Sequence, residues 1–351
     1  MPITISVPDV LRQSVEATSG GKNTVLYDDQ GNPSIMVVVP RFFLSDLDSA
    51  LATDPHPAFK WGERDLNYIY IGKFESTWAG DRPVSMPGVR IVSSTKTFDD
   101  CLTATRSKGP GWHIMTQAEY AAIALWCVKN GFLPKGNTAS TAAFGATYQR
   151  GVPSGDTGLV WTGSGPQSWY HSNTPLGISD LVGNATEWVS GMQIHNAELQ
   201  LVPYNNAAGS NVDLTPTSDL WKAIDYATGG WISPGSANSI KITRDTNYYP
   251  VWDFSTPAYL NTFTYTNFSY FSIGSGVSAA AVTTLRQYGL YPVTWGSYGL
   301  NRWSYVTLQD GIYRIPRRTA YCPYETGMFT MDITQPRTYN TQSFRLAHFI
   351  Q

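Results

Sequence analysis

Charge is scarce in this chain. Of 351 residues only 14% are Asp, Glu, Lys or Arg, and 24 basic against 26 acidic side chains leave a net charge of −2. So weak a field offers no basic track for phosphates, and nucleic acid is not an expected partner. Cysteine is scarcer still. Cys101, Cys127 and Cys322 lie far apart in no metal-ligand spacing, so zinc is not expected. One disulfide is open, although an odd count makes a poor disulfide framework. The five histidines (His56, His113, His171, His195 and His348) form no i, i+4 pair and no short cluster. No apolar run reaches membrane-spanning length, so insertion into a bilayer is not expected. Met1-Pro-Ile-Thr-Ile-Ser-Val-Pro8 lacks the Lys/Arg-led apolar segment of an export signal. Lysine stops at Lys241 while eight arginines follow it, so planar, bidentate donors are expected to tie the C-terminal third together.

Apolar residues are plentiful at 42%, which excludes disorder and leaves a surface that is mostly polar without being charged. Tyr, Ser, Asn and Gly dominate such a surface, the composition of adaptable recognition sites. The length calls for two domains or one heavily elaborated domain.

Local signals place several elements. Pro8 and Asp9 open a short helical pattern through Leu11 and Val15 that ends by Gly20-Gly21. Thr24–Tyr27 and Ile35–Val39 read as a hairpin around Asp28-Asp-Gln-Gly-Asn-Pro33, and Tyr68-Ile-Tyr-Ile71 as a further strand. From Thr116 to Asn130 the chain reads as a helix. Thr116 and Glu119 make a capping box, Tyr120, Ile123 and Cys127 share one face, and Gly131 supplies the C-terminal stop. Phe132 to His171 is expected to be ordered loop and Ile194–Val202 one alternating strand. Ala207–Gly230 reads as loop with a helical turn near Leu220–Ile224, and Tyr248–Ile273 as a hairpin insertion.

The most specific stretch is Asp180-Leu-Val-Gly-Asn-Ala-Thr-Glu-Trp188. Gly183 and Asn184 suit a turn with positive φ. Glu187 and Trp188 are residues that are buried only when paired and packed. The stretch resembles the Asp-Met-X-Gly-Asn-X-X-Glu-Trp motif of formylglycine-generating enzymes and their relatives in the C-type-lectin fold. Lys73-Phe-Glu-Ser-Thr77 is similar to that family's Lys-Tyr-Glu-Val-Thr, and Gly111-Trp-His-Ile-Met-Thr-Gln-Ala-Glu-Tyr120 to its Arg-Leu-Pro-Thr-Glu-Ala-Glu-Trp. Gly327-Met-Phe329, Arg337 and Phe344-Arg345 keep its terminal framework, whereas Ser343 stands where glycine is usual. The resemblance implies an α+β fold of the C-type-lectin, sulfatase-modifying-factor type, with long ordered loops and insertions. Residues 1–30 would form an N-terminal arm and 31–351 the lectin-like domain. Glu187 would be framework, accepting backbone or Arg hydrogen bonds.

Gly163-Ser-Gly-Pro-Gln-Ser-Trp169, Asn173-Thr-Pro175, Asn205-Asn-Ala-Ala208 and the Val15-Glu-Ala and Val25-Leu-Tyr-Asp-Asp29 opening bring the chain closest to one subgroup. It resembles the variable proteins of diversity-generating retroelements, in which adenines near the 3′ end of the gene are randomised. That resemblance implies a variable segment at about 316–345. Within it Thr319, Ala320, Tyr321, Cys322, Tyr324, Thr338, Tyr339 and Asn340 are the candidate ligand-binding residues, each reachable from an Asn codon by changing adenines. Glu325, Gln335 and Gln342 are not reachable in that way. The implied partner is a bacterial surface protein or glycan, the implied location a phage tail tip or a bacterial cell surface, and a homotrimer is an assembly common among tail tips.

The same scaffold also carries oxidative enzymes that hold copper through two C-terminal cysteines. Only Cys322 lies in that segment here, and one thiolate does not supply paired soft ligation. Ordinary lectin calcium ligation is likewise not expected, since Gln335-Pro336-Arg337 puts a cation where an oxygen ligand belongs. The expectation is a binding protein without catalytic residues, cofactor or resident metal. The alternatives are a formylglycine-generating-type oxidoreductase and a bacterial surface adhesin.

Overall fold

The computed structural model describes residues 9–91, 96–155, 158–255, 260–293, 303–308, 312–317, 327–333 and 343–350. It is a mixed α+β protein, about 20% helix and 30% strand, with curled sheets. The first helix, Val10–Ser19, begins where Asp9 accepts the Arg12 N–H and stops at Gly20, whose φ of 60° releases the chain. Asn23–Tyr27 then pairs antiparallel with Pro33–Pro40 around the expected turn.

That hairpin is one edge of a five-stranded antiparallel sheet. Pro33–Pro40 pairs with Tyr68–Gly72, which pairs with the C-terminal Leu346–His348, and this strand in turn pairs with Trp112–Ile114. The two ends of the chain are thereby sewn into one sheet. The second large sheet is built on Glu187–His195, which pairs with Glu198–Leu201, Ile312–Arg317 and Ser343–Phe344. A third sheet joins Leu260–Asn267, Trp303–Leu308 and Asp332–Ile333.

The helix Gln117–Lys129 sits in the middle of the main core. Its capping box forms as the spacing predicts: Thr116 Oγ1 accepts the Glu119 N–H at 3.1 Å, and Glu119 Oε2 accepts the Thr116 N–H at 2.9 Å. The expected single apolar face is too narrow a description. Gln117 through Leu125, Cys127 and Val128 are all buried, because the helix touches the Glu187–His195 strand on one side and the Leu44–Leu47 and Ala279–Gln287 helices on others.

Four expectations need correction. Ile194–Val202 is two strands, because Asn196 and Ala197 both take positive φ (48° and 66°), the left-handed pair of a tight hairpin turn. Residues 222–224 form a strand on Glu198–Leu201 instead of a helical turn. Pro250–Asp253 runs parallel to Ser272–Ile273 and antiparallel to Lys241–Arg244, and Leu260–Asn267 pairs with Trp303–Leu308, so 248–273 is no hairpin. The 132–171 stretch contains a small hairpin, Ala142–Ala143 with Ala146–Arg150. Ile3 and Ile5 lie outside the described residues.

Candidate functional site

The sequence motifs converge on one buried hub. Gly183 and Asn184 take φ of 80° and 68°, and a Cβ on Gly183 would lie 2.4 Å from Asn137 backbone atoms, so the turn needs glycine for conformation and for space. Asn184 reaches out of that turn in two directions. Its Nδ2 donates to Glu75 Oε2 at 2.7 Å, while its Oδ1 accepts the Val160 N–H at 2.9 Å. The Ala185 N–H donates to Glu75 Oε1 at 3.1 Å. The glutamate of the Lys73–Thr77 signature therefore caps the turn of the Asp180–Trp188 motif.

Arg345 completes the hub from the C-terminal strand. Its guanidinium pairs bidentately with Glu187, Nη2 to Oε1 at 2.6 Å and Nε to Oε2 at 3.2 Å. Further donors go to the carbonyl oxygens of Gly72 (3.0 Å), Ser179 (3.0 Å) and Asp180 (3.4 Å). The expected arginine hydrogen bonds to Glu187 inside the fold are present. Trp188 is fully buried beside it, edge-on to Phe98 with ring centroids 5.9 Å apart.

Three buried carboxyls, Glu75, Asp180 and Glu187, share this single guanidinium, and the balance is visible in their acidities. Burial, then the charges of Glu187 and Asp180, push Glu75 well above the ordinary carboxylate range. Burial also raises Asp180, and it raises Glu187 against the opposing pull of Arg345. Asp180 Oδ2 accepts the Gly163 N–H at 2.8 Å. The upward shift of Glu75 limits the uncompensated charge around the single guanidinium.

The hub lies beneath the roots of the candidate binding segments. Glu187 is in register with Arg317 on one side and with Ser343 on the other. Arg317 precedes residues 318–326, and Ser343 follows residues 334–342. The two roots are thus about 10 Å apart, two strand spacings, at one end of the sheet. Between the segments, Gly327 and Thr330 close a turn on each other, and Met328 and Phe329 are buried. Tyr120 donates its hydroxyl to the Met328 carbonyl at 2.7 Å, and Phe329 stacks on Phe268. Thr319, Ala320, Tyr321, Cys322, Tyr324, Thr338, Tyr339 and Asn340 themselves lie outside the described residues, as do Arg337, Glu325, Gln335 and Gln342.

Elsewhere, His113 is held by Glu119 at 3.0 Å, and that carboxylate is already engaged by the Thr116 N–H and by Asn205 Nδ2. Among the described residues no group of three or more His, Cys, Asp or Glu is placed to hold a metal ion. Cys101 and Cys127 are free and buried; burial pushes the Cys101 thiol up to about 12 and raises Cys127 as well. Among the described residues no helix is long and apolar enough to cross a membrane. Sequence reasoning did not foresee Glu75 as the partner of Asn184, nor His113 as the partner of Glu119. The signal for the second was present: a capping-box glutamate six residues from a histidine.

The chain matches no known family model and no curated protein.

Proposed function

We propose that this protein is a ligand-recognition module of the retroelement-diversified kind, on a C-type-lectin scaffold of the formylglycine-generating type. It would present residues of 318–326 and 334–342 to a bacterial surface protein or glycan, most simply from a phage tail tip. The observation that carries the reading is the shared rung at Glu187. Arg317 and Ser343, which border two segments rich in Tyr and Thr, pair on either side of one strand. Both residues are held by strand pairing, and Ser343 is buried. Loops on a rigid scaffold are where variable binding residues belong, and Tyr gives large contact area at low rotamer cost.

Recognition is preferred to cysteine oxidation on residue chemistry. Copper ligation of that kind needs two thiolates, and the partners left for Cys322 are Cys101 and Cys127, both buried and held as thiols.

Exchanging Thr319–Tyr324 and Thr338–Asn340 together for other residues reachable from Asn codons tests the reading. Binding to a panel of bacterial surfaces should change partner, with the melting temperature nearly constant. Unfolding of most exchanged variants, or unchanged binding, would overturn it. In the flanking DNA, a near-copy of the last codons differing at adenines, beside a reverse-transcriptase gene, is the expected companion.

A further inference from the structure

A second feature shares no residue with the Glu187 rung and is independent of the recognition reading. A cavity of about 400 Å³ opens between the Pro33–Pro40 strand, the Gln117–Lys129 helix and the 171–177 loop. Its volume is in the range of small-molecule sites, roughly 300–1,000 Å³. Val39, Phe42, Trp126 and Leu176 give it apolar walls, and all four remain partly open to solvent. Four large apolar groups left half-covered around one hollow contrast with most of the adjoining helix, which is buried on nearly every side.

The polar groups at this cavity are few and specific. His171 Nδ1 accepts the Ile178 N–H at 2.7 Å, which fixes the proton on Nε2 and leaves that N–H without a partner among the described residues. Burial, then the charge of Arg345, holds the imidazole down at about 4, so this donor is neutral at pH 7. At the rim Lys22 is exposed and forms no ion pair among the described residues. The rim itself is braced. Asn23 Nδ2 donates to the Leu176 carbonyl at 2.8 Å, and Lys73 Nζ in turn holds Asn23 Oδ1 at 2.8 Å. A Cβ on Gly177 would come within 2.4 Å of Ser172 Oγ and 2.9 Å of His171 Nδ1, so the loop is packed to its limit against the histidine. The hollow is preformed and needs no opening movement.

We propose that this cavity binds a small amphipathic carboxylate. Its apolar ring or branched chain would rest against Phe42 and Trp126, with the carboxylate taken by Lys22 and the His171 Nε2–H. A neutral apolar guest would leave the cation and the fixed donor unused, and a long-chain lipid exceeds the volume. Calorimetric titration of the full chain with phenylbutyrate and with phenylbutanol separates the contributions. The acid should bind saturably, and Lys22→Gln should weaken it about fivefold while leaving the alcohol unchanged. Val39→Trp, which fills the hollow, should abolish both, with Leu176→Trp as the second filling variant should the first not fold. No saturable binding, an acid affinity indifferent to Lys22→Gln, or undiminished binding by a folded filling variant would each overturn the proposal.

Discussion

At the residue scale, Arg345 and Glu187 carry the most consequence. A buried ion pair adds little net stability relative to an apolar pair, because desolvation offsets attraction, but removing one partner strands the other. Arg345→Ala leaves Glu187, Asp180 and Glu75 without a cation, so it should cost about 3–5 kcal/mol in urea denaturation. Glu187→Ala should fall in the same range. The double variant should cost clearly less than the sum, since the two act as a unit. A normal melting temperature for Glu187→Ala would show that the hub does not support the frame. Gly183→Ala combines a strained φ with the approach to Asn137 and should destabilise by more than the roughly 1 kcal/mol of the backbone strain alone.

At the element scale, the Gln117–Lys129 helix is the best-signalled element, and it packs against a strand and two other helices. Thr116 Oγ1 accepts the Glu119 N–H and also donates to Asn205 Oδ1 at 2.7 Å, so the cap doubles as a tie to the 203–209 turn. Thr116→Ala therefore removes a cap and orphans a buried amide oxygen. The expected loss is about 2 kcal/mol, the upper end of cap removals, read from the denaturation midpoint. Thr116→Ser should recover most of it. The strands behave differently. Lys222–Ile224 has neither alternation long enough nor β-branching dense enough to be recognised alone; its strand state comes from the edge of Glu198–Leu201. The parallel pairing of Pro250–Asp253 with Ser272–Ile273 is equally a property of its neighbours.

For the whole molecule, pH dependence is the sum of opposed groups. His56 and His171 are buried and held down at about 3 and about 4, burial being the first cause in both. The unfolded chain protonates them near 6.5, the fold does not, so acidification from 6.5 favours unfolding by about 1.4 kcal/mol per pH unit for each imidazole. Glu75 acts in the other sense. Its folded acidity lies well above the ordinary 4.5, so the fold keeps a proton that the unfolded chain has lost, and acidification stabilises. Glu75→Gln should thus lose stability more steeply than the parent between pH 6.5 and 4.5. Urea midpoints across that window decide the matter, and equal slopes for the two proteins would contradict a protonated Glu75.

The sequence alone determined what a few neighbouring residues settle among themselves. The capped helices at Asp9 and Thr116 and the hairpin of residues 23–40 are closed by hydrogen bonds reaching four residues or fewer, or by pairing across one short turn, and the positive φ at Gly183 and Asn184 suits those residue types. It also picked out Glu75, Asp180, Glu187 and Arg345 as parts of three motifs far apart in the chain. Only the tertiary structure decided that these four meet, that Arg317 and Ser343 flank one rung, and that Ile194–Val202 folds back on itself. The reason is physical. A buried carboxyl is tolerable only where a cation or donor arrives from elsewhere in the chain, and 158 residues separate Glu187 from the arginine that satisfies it. No local pattern encodes that meeting; sheet register and exclusion of water do.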